Sequence, residues 1–368
     1  MVCPFKVCRR GRADQSNGGF LPVKPDVPLR TVSVSVPTPA PTNRPSVVRI
    51  SPDLALAAAS RLVSQANSDI EAAARRLVAT APSHGIDLSL IWATLETQGA
   101  KKRVRQACLA VPGAGRTAML FISEPAPGGD PGGPRQALAE RAAVLEAACE
   151  HLGKERSGRV QIAQALPEPG EEWFVEALVS AGFINVGHLA YLRRPAGPTP
   201  QVPSGPLPEG ITLRRVSELP KTRVDATLVQ AMERSYVDTL DCPELCGLRA
   251  TKDILASHRE TGNYDPMLWW VVYRDAEPHG CAFFSAVPDA KSSELVYLGL
   301  SPQVRGMGLG KRLLAMGLEE MRARHASWPM TLAVDRRNTV ALRLYESFGF
   351  ASFGERIAFV KPVRELAR

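Results

Sequence analysis

The sequence predicts an α/β protein built as two successive units, and two observations carry that expectation. Within residues 296–350 a short apolar strand, a glycine-rich turn, an amphipathic helix, a second strand and a second helix follow one another closely. The end of that segment is echoed 167 residues earlier, counted from Gly182 to Gly349. Ala181-Gly182-Phe183-Ile-Asn-Val-Gly187, then Tyr191-Leu-Arg-Arg-Pro195, matches Phe348-Gly349-Phe350-Ala-Ser-Phe-Gly354, then Phe359-Val-Lys-Pro362. Between the copies, residues 196–209 are rich in proline and read as a linker. A chain of 368 residues can bury two cores.

In chain order, residues 1–46 hold eight prolines and seven Lys/Arg against two Asp, the composition of a disordered basic leader. Residues 47–195 form the first domain, with helices expected near 52–80 and 86–97, strands near 103–111 and 116–123, and a helix from about Gln136 to His151. Residues 210–368 form the second. Ile211–Val216 reads as its first strand and 219–235 as its first helix. Leu268–Tyr273 and Cys281–Val287 read as a hairpin of buried strands with a turn inside Asp275–Gly280. Trp269 and Trp270 belong to its core and sheet face. The helix after the glycine turn carries Leu309, Leu313, Leu314, Leu318 and Met321 on one face. Met330–Val334 is then a strand.

The glycine turn is Arg305-Gly306-Met307-Gly308-Leu309-Gly310, placed between a strand and a helix. Side-chain-free residues there let backbone N–H groups close on a pyrophosphate at a helix N-terminus, and Arg305 at the mouth offers forked charge. The spacing is not that of a Walker A loop, since Arg305 stands where its first glycine belongs and Arg312 where its hydroxyl belongs. Nor is it Gly-x-Gly-x-x-Gly, whose third glycine would fall on Lys311 or Leu313. Arg/Gln-x-x-Gly-x-Gly/Ala does fit, twice in overlap, from Gln303 and from Arg305.

Leu298-Gly299-Leu300-Ser-Pro302 ahead of this loop, with Asn338-x-x-Ala341-x-x-Leu344-Tyr345-x-x-x-Gly349-Phe350 behind it, resembles the GNAT superfamily of acyl-CoA-dependent N-acyltransferases over residues 210–362. The resemblance implies two tandem domains, each a mixed central sheet flanked by helices. It implies acetyl-CoA as cosubstrate, with contacts along Leu298, Gly299, Leu300, Gln303, Val304, Arg305, Gly306, Met307, Gly308, Leu309, Gly310 and Lys311, and at Asn338, Ala341 and Tyr345. It also implies that two parallel strands splay after the loop strand, the main chain around Leu298 and Leu300 facing the acyl arm. Tyr345 becomes the general acid for the thiolate, or else a packing tyrosine. Asn338 caps its helix or touches the pantetheine. Glu294 is the candidate base, and simple alternation puts it on the face of Val296, Leu298 and Leu300. Asp238, Asp241 and Glu244 lie where the family shapes its acceptor pocket and can attract a cationic amine, or form a polar loop.

The first unit reads as a degenerate copy. In the Gly182 register Leu178 replaces Tyr345, and leucine cannot protonate a thiolate. After Ser123 the loop runs Glu-Pro-Ala-Pro-Gly-Gly-Asp-Pro-Gly-Gly-Pro, with two acids in place of the arginine and prolines that lack N–H donors.

The expected activity is acetyl transfer from acetyl-CoA to a primary amine, of a small molecule or of a protein N-terminus or lysine, by direct attack in a ternary complex. A non-catalytic acyl-CoA sensor or scaffold and an enzyme using a longer acyl donor are the alternatives. Of the net charge of +8, +5 lies in residues 1–46, so nucleic acid is not an expected partner. The chain shows neither an apolar run of membrane-spanning length nor a signal-peptide core at its start. Seven scattered cysteines fit reduced thiols in a cytoplasm. Cys242, Cys246 and His258 fit no common zinc spacing, so no metal is expected.

Overall fold

The structure, a computed structural model, describes residues 45–98, 101–155, 158–201 and 205–364. The leader expected over 1–46 lies outside these residues except for its last two. Residues from Pro45 onward cluster as one compact unit.

The first repeat runs β1 (Val47–Arg49), α1 (Ala55–Leu62), α2 (Ile70–Thr80), β2 (Ile91–Gln98), β3 (Lys101–Gly113), β4 (Thr117–Ile122), α3 (Gly133–Lys154), β5 (Ile162–Ala165), α4 (Glu172–Ser180) and β6 (Ile184–Arg194). The second repeats that order as β7 (Ile211–Arg215), α5 (Val224–Tyr236), α6 (Thr251–Arg259), β8 (Trp269–Arg274), β9 (Glu277–Val287), β10 (Ser292–Leu300), α7 (Leu309–Arg324), β11 (Met330–Asp335), α8 (Thr339–Ser347) and β12 (Ala351–Pro362). The echoed glycines end equivalent helices in one geometry. Gly182 (φ 76°) and Gly349 (φ 80°) are left-handed. Phe183 N–H donates to Leu178 O, and Phe350 N–H to Tyr345 O, closing the last turn as a Schellman motif does.

All twelve strands join one sheet in the order β1-β2-β3-β4-β5-β12-β6-β11-β10-β9-β8-β7. The order is a palindrome of the two repeats with their last strands exchanged: β12 lies on β5, and β6 lies on β11. At the centre β6 and β12 pair antiparallel, His188 with Ile357 and Ala190 with Glu355. A shift of 167 turns each of these pairs into the other, which marks a local two-fold axis through the sheet. The repeats are therefore not separable as sheets at the linker, because each lends its final strand to the other.

Where a helix was expected over 86–97, Leu88–Leu90 make a single 3-10 turn and Ile91–Gln98 form a strand. Ile91 and Ala93 pack on α1 while Trp92 packs on the α3 side, so both faces are covered and Ile91-Trp92-Ala93 shows no apolar–polar alternation. Asp87 accepts from Ser89 N–H and fixes the tight turn that precedes it. The β8–β9 turn is narrower than expected: Asp275 (φ 49°) and Ala276 (φ 68°) alone reverse the chain, both in the left-handed region that a two-residue hairpin needs.

Helices α5 and α6 cover the sheet face that carries Phe283 and Tyr297, where buried His258 of α6 lies 5.8 and 5.2 Å from their rings. Helix α7 covers the opposite face, where a Cβ on Gly317 would run into the Phe284 ring. Helix α8 shares that side, Leu344 approaching Gly310 of α7. The tip of the β3–β4 hairpin docks on α6: Ser257 Oγ donates to Ala114 O (3.0 Å) and Arg249 to Gly115 O (2.6 Å).

Candidate active site

The glycine turn leaves a row of backbone amides open. Gly306 (φ 78°) and Gly308 (φ 75°) take conformations that side chains disfavour, and no atom approaches where their Cβ would stand. Gly308 precedes the first residue of α7, and the first helical amide to find a carbonyl is Arg312, which donates to Gly308 O (3.2 Å). Among the described residues, the six consecutive amides from Gly306 to Lys311 have no acceptor. Six N–H donors at the positive end of a sixteen-residue helix suit a pyrophosphate in number and sign.

Beside these amides the sheet opens. Strands β10 and β11 pair at Ser293 with Met330 and Glu294 with Thr331, and no further along. Strand β10 stays on β9 throughout, with one extra residue, Val296, between Leu295 and Tyr297. That bulge sets the direction of the amides. Ser293 N–H donates across to Pro329 O, whereas Ser301 N–H donates back to His279 O. With the extra residue between them, Leu298 and Leu300 turn their amides into the gap. Arg305 Nε takes the Leu300 carbonyl (2.9 Å).

The bulge overturns one expectation. Cross-strand partners share a face, and Glu294 pairs Ser285 while Tyr297 pairs Phe283. Glu294 therefore faces α5 and α6 with Tyr297, and Leu298 and Leu300 face the other way. Glu294 is buried.

The Arg305 guanidinium is also not at the mouth of the turn. It donates to the carbonyls of Leu300, Ser235, Val237 and Asp238 at 2.7–3.1 Å, closing off the C-terminal end of α5. The exposed carbonyls of a helix end carry partial negative charge and draw in a cation. Gln303 is exposed and its carbonyl accepts from Arg274, Val304 is buried under the loop, and Met307 and Lys311 are exposed.

Tyr345 lies on α8, 3% exposed, its ring edge-on to Phe350. Its hydroxyl makes no hydrogen bond among the described residues. Burial pushes the phenol well above its ordinary value, and the Asp241 carboxyl adds to that. Asn338 caps α8, accepting from Ala341 N–H (3.2 Å).

The three acids of the presumed acceptor loop do not form a free cluster. Glu244 makes a two-oxygen pair with Arg337 (2.6 and 2.8 Å), which holds its carboxyl below the usual range. Asp241 is buried, accepts from Asp335 N–H (2.7 Å), and is pushed up by burial. Asp238 is exposed, with φ 50°. Asp335 receives Cys242 N–H (3.1 Å) and the Arg337 side chain (2.6 Å), and Arg337 reaches Val186 O of β6 (2.9 Å). This clamp ties the loop to the end of β11 and to the exchanged strand. Its one sequence signal was the charged run Asp335-Arg336-Arg337 before Asn338.

Residues 235–350 match the model of the acetyltransferase (GNAT) family. Over these residues the chain is similar to the GNAT family. It is 31% identical over 187 residues to a mycothiol acetyltransferase of Thermomonospora curvata, covering 50% of this chain and 59% of that protein. A mycothiol acetyltransferase of Salinispora arenicola is 34% identical over 186 residues, covering 49% and 57%. The chain thus spans just under three fifths of these relatives. A GCN5-related N-acetyltransferase of Sphaerobacter thermophilus shares the fold, with TM-score 0.52 and 17% identity over 88% of this chain and 97% of that one.

Among the described residues, the loop before α3 in the first repeat has no comparable run of open amides, since Pro131 and Pro134 carry no N–H and Gly133 N–H donates to Asp130 O. Strands β4 and β5 also part after Met119 and Gln164. There Asp130 of the loop before α3 is ringed by donors. It accepts from Arg141 (2.7 Å), Gln106 (3.0 Å), Ala126 N–H (3.3 Å) and Arg61 (3.4 Å). Burial alone would raise this carboxyl, but the bonds from Arg141 and Gln106 outweigh it and hold it low. Leu178, the counterpart of Tyr345, is fully buried in the apolar core. Among the described residues, no group of three or more His, Cys, Asp or Glu could hold a metal and no helix is long and apolar enough to cross a membrane. Cys242 is buried, Cys246 exposed, and His258 packs among aromatic rings.

Proposed function

We propose that the second repeat is an N-acetyltransferase that moves an acetyl group from acetyl-CoA to a primary amine by direct attack. The observation that carries this reading is the junction of six unpaired amides at 306–311 with a strand edge whose Leu298 and Leu300 amides point into the gap. The cradle amides hold the pyrophosphate, and a gap amide faces the carbonyl oxygen, where it can stabilise the oxyanion. Glu294, on the α5/α6 side, takes the proton of an amine whose unperturbed pKa is near ~10. Tyr345, reaching the gap from the α8 side, donates its proton to the sulfur. The base and the acid thus address the reacting carbon from the two faces of the sheet, and holding both reactants there lowers the entropic part of the barrier. Asn338, by capping α8, keeps Tyr345 in place. The first repeat serves as scaffold, the donors around its loop taken up by Asp130.

The test is thiol release from acetyl-CoA with a panel of primary amines, varied in both concentrations. Intersecting double-reciprocal lines and loss of turnover in Glu294→Gln are expected. Parallel lines would require an acyl-enzyme and contradict direct attack.

A further inference from the structure

Pairing across the centre of the sheet lays out one row of side chains on the α5/α6 face. Glu294 of β10 pairs Thr331 of β11, Thr331 pairs Arg193 of β6, and Arg193 pairs Ala351 of β12. Neighbouring strands lie about 4.8 Å apart, so Arg193 stands two strands, about 10 Å, from Glu294. The row passes from buried Glu294 and Thr331 to exposed Arg193 and Ala351. In the next row along the strands, Ala333, Tyr191 and Gly354 are partners, and Phe353, the extra residue of a β12 bulge, packs against Tyr191 with ring centroids 6.2 Å apart. Phe353 is 57% exposed.

Two features of this floor stand out. First, Tyr191 and Arg193 belong to the first repeat and reach the second only through strand exchange. Second, the neighbouring arginines are committed. Arg356 pairs with Glu168 (2.7 Å), Arg336 with Glu355 (2.6 Å), and Arg194, on the opposite face, donates to Phe348 O (2.7 Å). The Arg193 side chain has neither a hydrogen bond nor an ion pair among the described residues. It is an unpaired guanidinium at the open end of a row that leads to the candidate base.

We propose that Arg193, with the Tyr191–Phe353 ring pair, completes the acceptor site, and that the acceptor is an amine with an apolar ring in its middle and a carboxylate at its far end. The amine reaches Glu294, the ring lies on the two aromatic side chains, and the carboxylate takes the guanidinium fork. Unpaired positive charge there selects against polyamines and favours a zwitterionic substrate. This assignment rests on Glu294 and the gap being the reaction centre.

The test uses the full chain with acetyl-CoA and two matched acceptors, 4-(2-aminoethyl)benzoate and 2-phenylethylamine, in wild type, Arg193→Ala and Arg193→Lys. Wild type is expected to favour the benzoate in kcat/KM by about tenfold or more, the gain typical of a charge-assisted pair. Arg193→Ala should erase that preference, Arg193→Lys should keep part of it, and acetyl-CoA affinity should be unchanged in both. A wild type without the preference, or a preference that survives Arg193→Ala, overturns the proposal. If acetyl-CoA binds but neither amine is acetylated, the acyl-transfer reading fails on its own. Calorimetry of 4-(2-aminoethyl)benzoate on the CoA-saturated protein then decides the arginine. Binding weakened in Arg193→Ala supports it, and no binding by wild type, or equal binding by both, overturns it.

Discussion

Tyr345→Phe separates chemistry from packing because the two roles of this residue predict opposite results. The ring is 3% exposed and packs on Phe350, and the hydroxyl has no hydrogen-bond partner among the described residues. Removing the hydroxyl should therefore change stability by no more than about 1 kcal/mol. If the phenol protonates the departing thiolate, the same substitution removes general acid catalysis, worth about 10²–10⁴-fold in kcat. The assays are urea denaturation for stability, calorimetry for acetyl-CoA, and steady-state thiol release for turnover. The expected result is unchanged stability and unchanged acetyl-CoA affinity with kcat down by at least ~100-fold. A variant that turns over within about threefold of wild type, a difference below 1 kcal/mol, would refute the acid role and leave a packing tyrosine. The pH dependence has a definite sign. Burial raises the phenol, so its proton stays on through the neutral range, and its stability contribution is present below the unfolded value near ~10 and lost above it.

Two other outcomes follow from the fold. His258 is fully buried between Phe283 and Tyr297, and burial lowers its imidazole to about 3. The unfolded chain takes up this proton first, so stability should be full above the unfolded value near ~6.5 and fall by up to about 1.4 kcal/mol per pH unit as the pH drops toward the folded value. Denaturation at pH 7 and pH 4.5 should show a smaller acid loss in His258→Leu than in wild type, and equal losses would contradict this. Because β12 lies between β5 and β6, a fragment ending at residue 200 exposes two central strand edges. It should fail to unfold cooperatively alone and should do so when co-expressed with 205–368. A cooperative monomeric fragment would contradict the exchange.

The sequence exposed the loop because its demands are local: φ near 75° at Gly306 and Gly308 favours glycine over residues with side chains, and helix α7 declares its buried face through Leu309, Leu313, Leu314 and Leu318. The repeat was visible for the same reason, since Gly182 and Gly349 each close a helix with a left-handed turn. What stayed hidden depends on distant partners. Glu294 changes face because one residue of β10 bulges against β9, a register detail that strict alternation does not contain. Arg305 reads as a phosphate ligand until the end of α5, some seventy residues earlier in the chain, presents it with three carbonyls. Residues 91–98 look helical because a strand covered on both faces loses its period of two. The exchange of β6 and β12 is silent in the sequence, because either partner would satisfy the same alternating residues.

The central claim is that one working acyl-CoA site exists in a chain with two copies of the fold. Acetyl-CoA titrated calorimetrically into the full chain tests it most directly. The account predicts one site per chain, lost in Gly308→Glu, where a carboxylate enters the cradle, and retained in Asp130→Ala. Two sites per chain, or binding by Gly308→Glu as tight as wild type, would contradict it.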